Sequence, residues 1–416
     1  MMMRLLLLLG VWCAVAQECA VTDECSSAMI AIDYFALTRA ELDSDVTALV
    51  GRAYDSDGLG ILAVTNIPQS LETLRLELLE KSRQLANLPE EILARFEHPD
   101  YDYVVGWSRG REKFNGKPDL HKASWYANGL YADAAQNDSE LIRKYPSSTF
   151  EPHWPDQRIH NFSKTLRALS RNLYDLSYHV LRHCDAFLDK KMKKRRFFLL
   201  PRRKRQKLAT VTHELSRLHV ARLLHYYPLD DDNKDSSWCG WHNDNSVITA
   251  LAPAAYFDET LRTEVDAPEG AGLFVKPRNQ SLPRVKVIAP KEGPYALFQI
   301  GEAAQVLSGG LLVATPHAVE AGKERSVSRD AFALFVEPNW DFPLRPPPGF
   351  RLKDVYAENN QGWKKTLFSR LKRKRQAAGH EEEERAAPLI PPLKKRLPKV
   401  PVDFAQFLAD SVKEYY

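Results

Sequence analysis

The tripeptide pattern His-x-Asp occurs three times in this chain, at His98-Pro99-Asp100, His183-Cys184-Asp185 and His242-Asn243-Asp244. Joined by a second histidine from elsewhere, such a pair can offer two imidazoles and one carboxylate to a single metal ion. That donor set, gathered on one face of iron(II), leaves the opposite positions open for oxygen and a co-substrate. The three copies differ in what their surroundings allow. His183 and Asp185 close a long helical pattern, where residues two apart point in nearly opposite directions. His98 and Asp100 fall in a loop just after a helix, with no strand about them. His242 and Asp244 sit among short β-type segments, where residues two apart face the same side. Only this third copy has usable geometry.

The remaining ligand must come from a distant strand that returns to the same place. His317 is the only histidine of the β region after His242, and it ends a run, Leu311, Val313, Thr315, His317, that shares one parity. Taken alone, a buried histidine is more often structural than a ligand. Its pairing with His242 and Asp244, and with one later arginine, reverses that balance. Arg329 begins an alternating strand in which Arg329, Ala331, Ala333 and Phe335 share a face. A buried arginine among small residues demands an anionic partner, and its planar fork suits a carboxylate. Either a dicarboxylate ligand or a structural Asp or Glu would meet that demand. His213-Glu214 begins like a zinc-protease motif, but the next histidine is His219, which a helix does not return to the same face.

Ligands on separate segments need a frame. The chain has 416 residues, 44% of them hydrophobic and 10% aromatic, enough for one large domain or two ordinary ones with a sizeable core. Residues 30–37 read as a strand, 41–53 as a helix and 61–64 as a second strand behind Gly58-Leu59-Gly60. Residues 71–94 read as helical, with Leu74, Leu78 and Leu85 on one face and Pro89 marking a new first turn. Residues 100–157 read as loops and turns. Phe162, Leu166, Leu169, Leu173, Leu176 and Val180 recur at helical spacing and predict a long amphipathic helix. From about 219 the chain turns to short strands broken by Gly, Pro, Asn and Asp, at 221–227, 246–250, 273–276, 296–300, 311–315 and 331–336, the pattern of a sandwich or jelly roll.

This gives a signal segment at 1–16, an N-terminal α/β part at 30–157, a long core helix at 158–188, a basic insertion at 189–208, a jelly-roll domain at 219–342 and a Pro-rich charged tail at 343–416. The fold class expected is mainly β with an α/β N-terminal part and flanking helices. The tail reads as largely disordered, with a terminal amphipathic helix through Phe404, Phe407, Leu408 and Val412.

Net charge is only +4 and implies no nucleic-acid partner, but residues 190–207 hold eleven Lys or Arg. A solvated insertion is favoured there over a polyanion contact or a nuclear-import signal. Arg4 followed by an apolar run to Ala16, with Ala14-Val15-Ala16 as a cleavage pattern, points to the secretory pathway. A mis-assigned start would instead leave the protein cytoplasmic or nuclear. No later stretch is long and apolar enough to span a bilayer. Of the five cysteines, Cys19 and Cys25 could pair in an oxidising compartment. Sequons occur at Asn137, Asn161 and Asn279.

Four segments carry a resemblance. Arg222-Leu223-Leu224-His225-Tyr226-Tyr227-Pro228 is similar to the R-L-N-Y-Y-P segment of the isopenicillin N synthase-like 2-oxoglutarate dioxygenases, and Trp241-His242-Asn243-Asp244 to their W-H-x-D motif. Gln299-Ile300-Gly301-Glu302, leading to Val306-Leu307-Ser308-Gly309-Gly310, resembles the stretch before their second histidine, and residues 329–338 their R-x-S strand. The resemblance spans most of residues 30–342, and its nearest branch shares Trp125-Tyr126-Ala127-Asn128 and Pro338-Asn339-Trp340. It implies a double-stranded β-helix with Fe(II) on His242, Asp244 and His317. It further implies Arg329 on the distal carboxylate of 2-oxoglutarate, Tyr227 touching that co-substrate, and ascorbate as reductant. The reaction implied is hydroxylation or desaturation of a small organic molecule by O2, with release of succinate and CO2. Trp107, Trp125, Tyr126 and Trp340 become candidate lining residues. Two departures stand out. Ala331 replaces the family's Ser or Thr, which removes a hydroxyl bond worth about 1.5–3 kcal/mol to a carboxylate, and His225 replaces Asn. They leave open a different co-substrate, or a degenerate member acting as a non-catalytic iron-binding scaffold.

Overall fold

The computed structural model describes residues 25–111, 113–114, 117–195, 205–229, 237–277, 284–288, 290, 293–356 and 390–415. The signal segment, Cys19, Asn279 and residues 196–204 of the basic insertion lie outside them. Among the described residues no helix is long and apolar enough to cross a membrane.

Two sheets dominate. Their strands are β1 (Cys25–Ala28), β2 (Ile30–Asp33), β3 (Ile61–Thr65), β4 (Gly106–Arg109), β5 (Lys122–Asn128), β6 (His219–Tyr226) and β7 (Ser237–His242), then β8 (Ile248–Asp258), β9 (Thr263–Val265), β10 (Gly272–Val275), β11 (Val285–Ile288), β12 (Tyr295–Ile300), β13 (His317–Glu320) and β14 (Val327–Val336). The larger sheet runs β2-β3-β12-β8-β14-β6-β5-β4, with β9 paired to β8, and the smaller runs β1-β11-β10-β13-β7. Strand β14 is the spine of the larger sheet. Nine of its ten residues are buried, because helices cover one of its faces and a cavity lies against the other.

The covering helices are α1 (Ser44–Tyr54), α2 (Gln69–Ala86) and α3 (Phe162–Arg195), and a short helix, α4 (Glu302–Leu307), follows β12. Phe162, Leu166, Leu169, Leu173, Leu176 and Val180 are all at most 3% exposed, so the helical stripe is the buried face of α3, each such side chain stabilising by about 1.5–3 kcal/mol. Asp43 caps α1 by accepting from the backbone N–H groups of Asp45 and Val46, a cap worth about 1 kcal/mol. Helix α3 extends to Arg195, beyond the expected end at 188.

Several expectations need correction. The N-terminal part is not separate, since β2 and β3 pair into the larger sheet through β12 and β4 and β5 extend its other side. Its residues share one core with α3 and the later strands. Within 30–37 the strand stops at Asp33, whose carboxylate accepts from the N–H groups of Phe35 and Ala36 and starts a helical turn. Within 100–157, read as loops, lie the strands β4 and β5. Residues 311–315 are not a strand. The N–H groups of Leu312, Val313 and Ala314 donate to the Ser308 hydroxyl, the Tyr54 carbonyl and the Gln305 side chain rather than to a sheet neighbour.

The tail beyond 343 is ordered where it is described. Pro343–Leu344 pairs with Val402–Asp403, and two helices follow the segment 357–389, which lies outside the described residues: α5 (Leu393–Arg396) and α6 (Phe404–Tyr415). Leu393, Leu397, Phe404 and Phe407 join the main core, whereas Val412 is exposed.

Candidate metal centre and the cavity beside it

His242 is the last residue of β7, His317 the first of β13, and the two are directly paired in the sheet register. Asp244 sits past the end of β7, in the turn leading to β8, so a loop rather than strand parity brings it alongside His242. Its Oδ1 lies 3.9 Å from His242 Nε2 and 3.8 Å from His317 Nε2. The three donor atoms all fall within 4.8 Å of one another. Two metal bonds of about 2.1 Å can bridge a separation of up to about 4.2 Å, so the carboxylate and each imidazole can share one ion. Among the described residues this is the only His, Cys, Asp and Glu cluster with that geometry.

The rings are held from behind. His242 Nδ1 is 2.7 Å from the Gly240 carbonyl, which keeps the proton there and leaves Nε2 as a donor. His317 Nδ1 lies 2.6 Å from the Gln299 amide. With the amide oxygen turned towards it, Nδ1–H donates to Oε1 of Gln299, an atom otherwise buried without a partner, and Nε2 again points free. The ring centroids are 4.2 Å apart, too close for two imidazolium ions. Burial works against charge on both. At His242 it is outweighed by Cys239, Asp244 and the Gly240 carbonyl, which raise the pKa to about 9. At His317 burial and the charge of His242 lower it to about 4. A divalent cation on the two Nε2 atoms would displace the His242 proton and take its place as the positive charge between the rings.

The other two His-x-Asp copies are structural. His183 Nδ1 lies 2.8 Å from the Thr47 hydroxyl, Asp185 pairs with Arg205 at 2.6 Å, and His98 packs against Phe150 and His153. His213 stacks on Tyr174 at 4.0 Å, away from any metal cluster.

A cavity of roughly 470 Å³ opens beside the three donors and takes walls from both sheets. Apolar side chains such as Leu224, Leu251, Leu273, Val319 and Phe335 line most of it. Arg329 also faces it, 9% exposed, with its Nε unpartnered. Arg329 pairs with no carboxylate among the described residues. It lies opposite Tyr226 on one side and Tyr256 on the other, with the guanidinium 5.1 Å and 6.0 Å from their rings. The neighbouring residue, Asp330, points to the far face and is satisfied there by His225 Nδ1 at 2.9 Å.

Tyr227 does not reach the cavity. Its hydroxyl donates to the Ala86 carbonyl at 3.3 Å and its ring lies under Arg109. Tyr226, one residue earlier, has the parity of Arg222 and Leu224 and is the tyrosine that faces inward. Tyr256 was hidden by a bulge. The pairing of β8 with β14 slips by one residue between Ala252 and Ala255, beside Pro253, so the inward parity changes from Thr249 and Leu251 to Ala254 and Tyr256. Trp107, Trp125 and Trp340 are buried in the main core instead of lining the cavity, and Tyr126 lies beneath the Arg222 guanidinium.

No protein-family model and no curated protein sequence matches the chain. Solved structures do match. A putative 2OG-Fe(II) oxygenase family protein from Caulobacter crescentus aligns with a TM-score of 0.56 at 19% identity, over 84% of this chain and 100% of that one. A full-length Neurospora crassa protein, solved in complex with alpha-KG, aligns at 0.56 and 18% identity, over 79% and 89%. A dioxygenase for auxin oxidation from Arabidopsis thaliana, solved with 2-oxoglutarate, aligns at 0.50 and 16%, over 78% and 97%. The chain shares the fold of these oxygenases. At such identities the likeness is one of architecture, and the chemistry rests on the residues.

Proposed function

We propose that the chain is an iron(II)- and 2-oxoglutarate-dependent oxygenase, an oxidoreductase that hydroxylates or desaturates a small organic molecule with release of succinate and CO2. The observation that carries this reading is one cavity with His242, Asp244 and His317 at one place and Arg329, without a carboxylate partner, farther along it. The two sheets that share the cavity are read as a double-stranded β-helix, and the expected relation to the isopenicillin N synthase-like branch remains part of this proposal.

Iron(II) held by the three donors would supply oxygen activation coupled to oxidation of the keto acid, with ascorbate keeping the metal reduced. The chain's own part is positional. Gly240 and Gln299 fix the imidazole tautomers, and the Arg329 fork takes the distal carboxylate. Tyr226 and Tyr256 flank that fork and offer the hydroxyl donors that Ala331 lacks. The apolar walls keep water out and favour a prime substrate with a largely hydrocarbon body.

Succinate release from labelled 2-oxoglutarate, with iron(II) and ascorbate, tests the reading. Turnover by the wild type that disappears in His242→Ala supports it. A wild type that binds one equivalent of iron and forms no succinate removes it, in favour of another co-substrate or a non-catalytic iron protein.

A further inference from the structure

Behind the metal ligands lies a buried ionic cluster that binds neither the metal nor the cavity's contents. At its centre are Glu302, in the first turn of α4, and Arg396, the last residue of α5. Each is 1% exposed. Arg396 grips Glu302 with both ends of its fork, Nη2 lying 2.6 Å from Oε1 and Nη1 meeting Oε2. The remaining donors of Arg396 reach Asn245 Oδ1 at 3.4 Å, Ser411 Oγ at 3.2 Å and the Pro391 carbonyl at 3.2 Å.

The cluster is fastened to the loop that carries Asp244. Besides the Arg396 contact to Asn245, Glu302 Oε1 accepts from Asn243 Nδ2 at 2.9 Å. The Glu302 N–H donates to the Asp244 carbonyl at 2.8 Å, the Ala303 N–H to Asn245 and Ser246, and the Gly301 N–H to Val247. Gly301 is needed for this approach, since a Cβ there would come within 2.0 Å of the Ser246 carbonyl oxygen. The residues on both sides of Asp244 are therefore tied to this cluster, and Glu302 is tied to a residue 94 positions later in the chain. A buried ion pair is seldom a net gain in stability over apolar residues of the same size. Its presence against a ligand loop points to orientation.

We propose that Arg396 is a positioning residue for the metal centre. Delivered by the C-terminal segment, it fixes Glu302, and through Glu302 and Asn243 it sets the direction of the Asp244 carboxylate. The inference rests on the metal reading of His242, Asp244 and His317.

The test is the affinity of the full chain for Co(II), read from the visible absorption of the bound ion so that no turnover is needed. Arg396→Met should weaken Co(II) binding about ten- to a hundredfold, the usual effect of removing a residue that orients a ligand, and should alter the spectrum. Arg396→Lys, with charge but no fork, should recover part of the affinity. Phe407→Leu loosens the packing of the same segment without touching Glu302, and should lower thermal stability while leaving Co(II) affinity within about twofold. Wild-type Co(II) affinity in folded Arg396→Met overturns the proposal. If that variant does not fold, the uncharged pair Glu302→Gln with Arg396→Met replaces it, and wild-type affinity there has the same force. Co(II) binding indifferent to His242→Ala would overturn the metal centre itself, and the role of Arg396 with it.

Discussion

Two buried arginines in this molecule have opposite surroundings. Arg396 is 1% exposed and spends its donors on Glu302, Asn245, Ser411 and a carbonyl. Arg329 is 9% exposed, sits between two tyrosine rings, and has no carboxylate partner among the described residues. Next to it in sequence, Asp330 is paired with His225 on the other face of the same sheet. An internal carboxylate could thus have been placed within reach of Arg329, and instead faces away. On the function proposed, the guanidinium partnered by its own chain holds the frame, and the one facing the cavity takes the ligand.

The largest effect expected from this contrast is on folding. Arg396→Met leaves Glu302 charged, buried and unpaired, and should lower the free energy of unfolding by about 3–5 kcal/mol, measured by urea denaturation. Arg329→Leu should do the reverse. It removes a buried charge that has no carboxylate partner among the described residues, so stability should hold or rise, while 2-oxoglutarate binding to the metal-loaded protein weakens by about 2–5 kcal/mol, roughly thirty- to several-thousandfold. Calorimetry on the one variant and denaturation on the other would show whether the two roles separate. If Arg329→Leu instead lowers the stability and leaves the affinity unchanged, both arginines are structural and the contrast fails.

A smaller effect distinguishes the tyrosines. Tyr256→Phe should weaken 2-oxoglutarate about ten- to a hundredfold, the value of one hydrogen bond to a charged group, whereas Tyr227→Phe should leave binding within about twofold because its hydroxyl serves Ala86. Equal losses in the two variants would mean that Tyr227, just past β6, also reaches the co-substrate.

The candidate ligands His242, Asp244 and His317, whose types match one donor set, were legible in the sequence as polar residues among apolar β-type segments. Arg329 was legible for the same reason, and the long stripe of α3 because a period of 3.6 sustained over many turns has little competition. What the sequence hid depends on pairing at a distance. Two successive tyrosines, 226 and 227, give no sign of which faces inward until the strand's neighbours are known, and the bulge near Pro253 reverses the parity that would have pointed to Tyr256. The joining of β2 and β3 to the later strands could not be read from local pattern, since a short apolar run such as Ile61–Val64 carries no sign of which strand it pairs with. Arg396 was hidden most completely. In Lys394-Lys395-Arg396 it looks like part of a solvated basic tail, and only the fold reveals that the third of these three cations is interior.

The order of synthesis gives that last feature a further meaning. Arg396 is made 151 residues after Asn245 and 60 after Val336, the last residue of β14. Until then the contact from Arg396 to Asn245 and the fork that holds Glu302 are missing, so on the role proposed for Arg396 a nascent chain should reach full metal affinity late, and a stop codon ahead of residue 396 should weaken metal binding as Arg396→Met does.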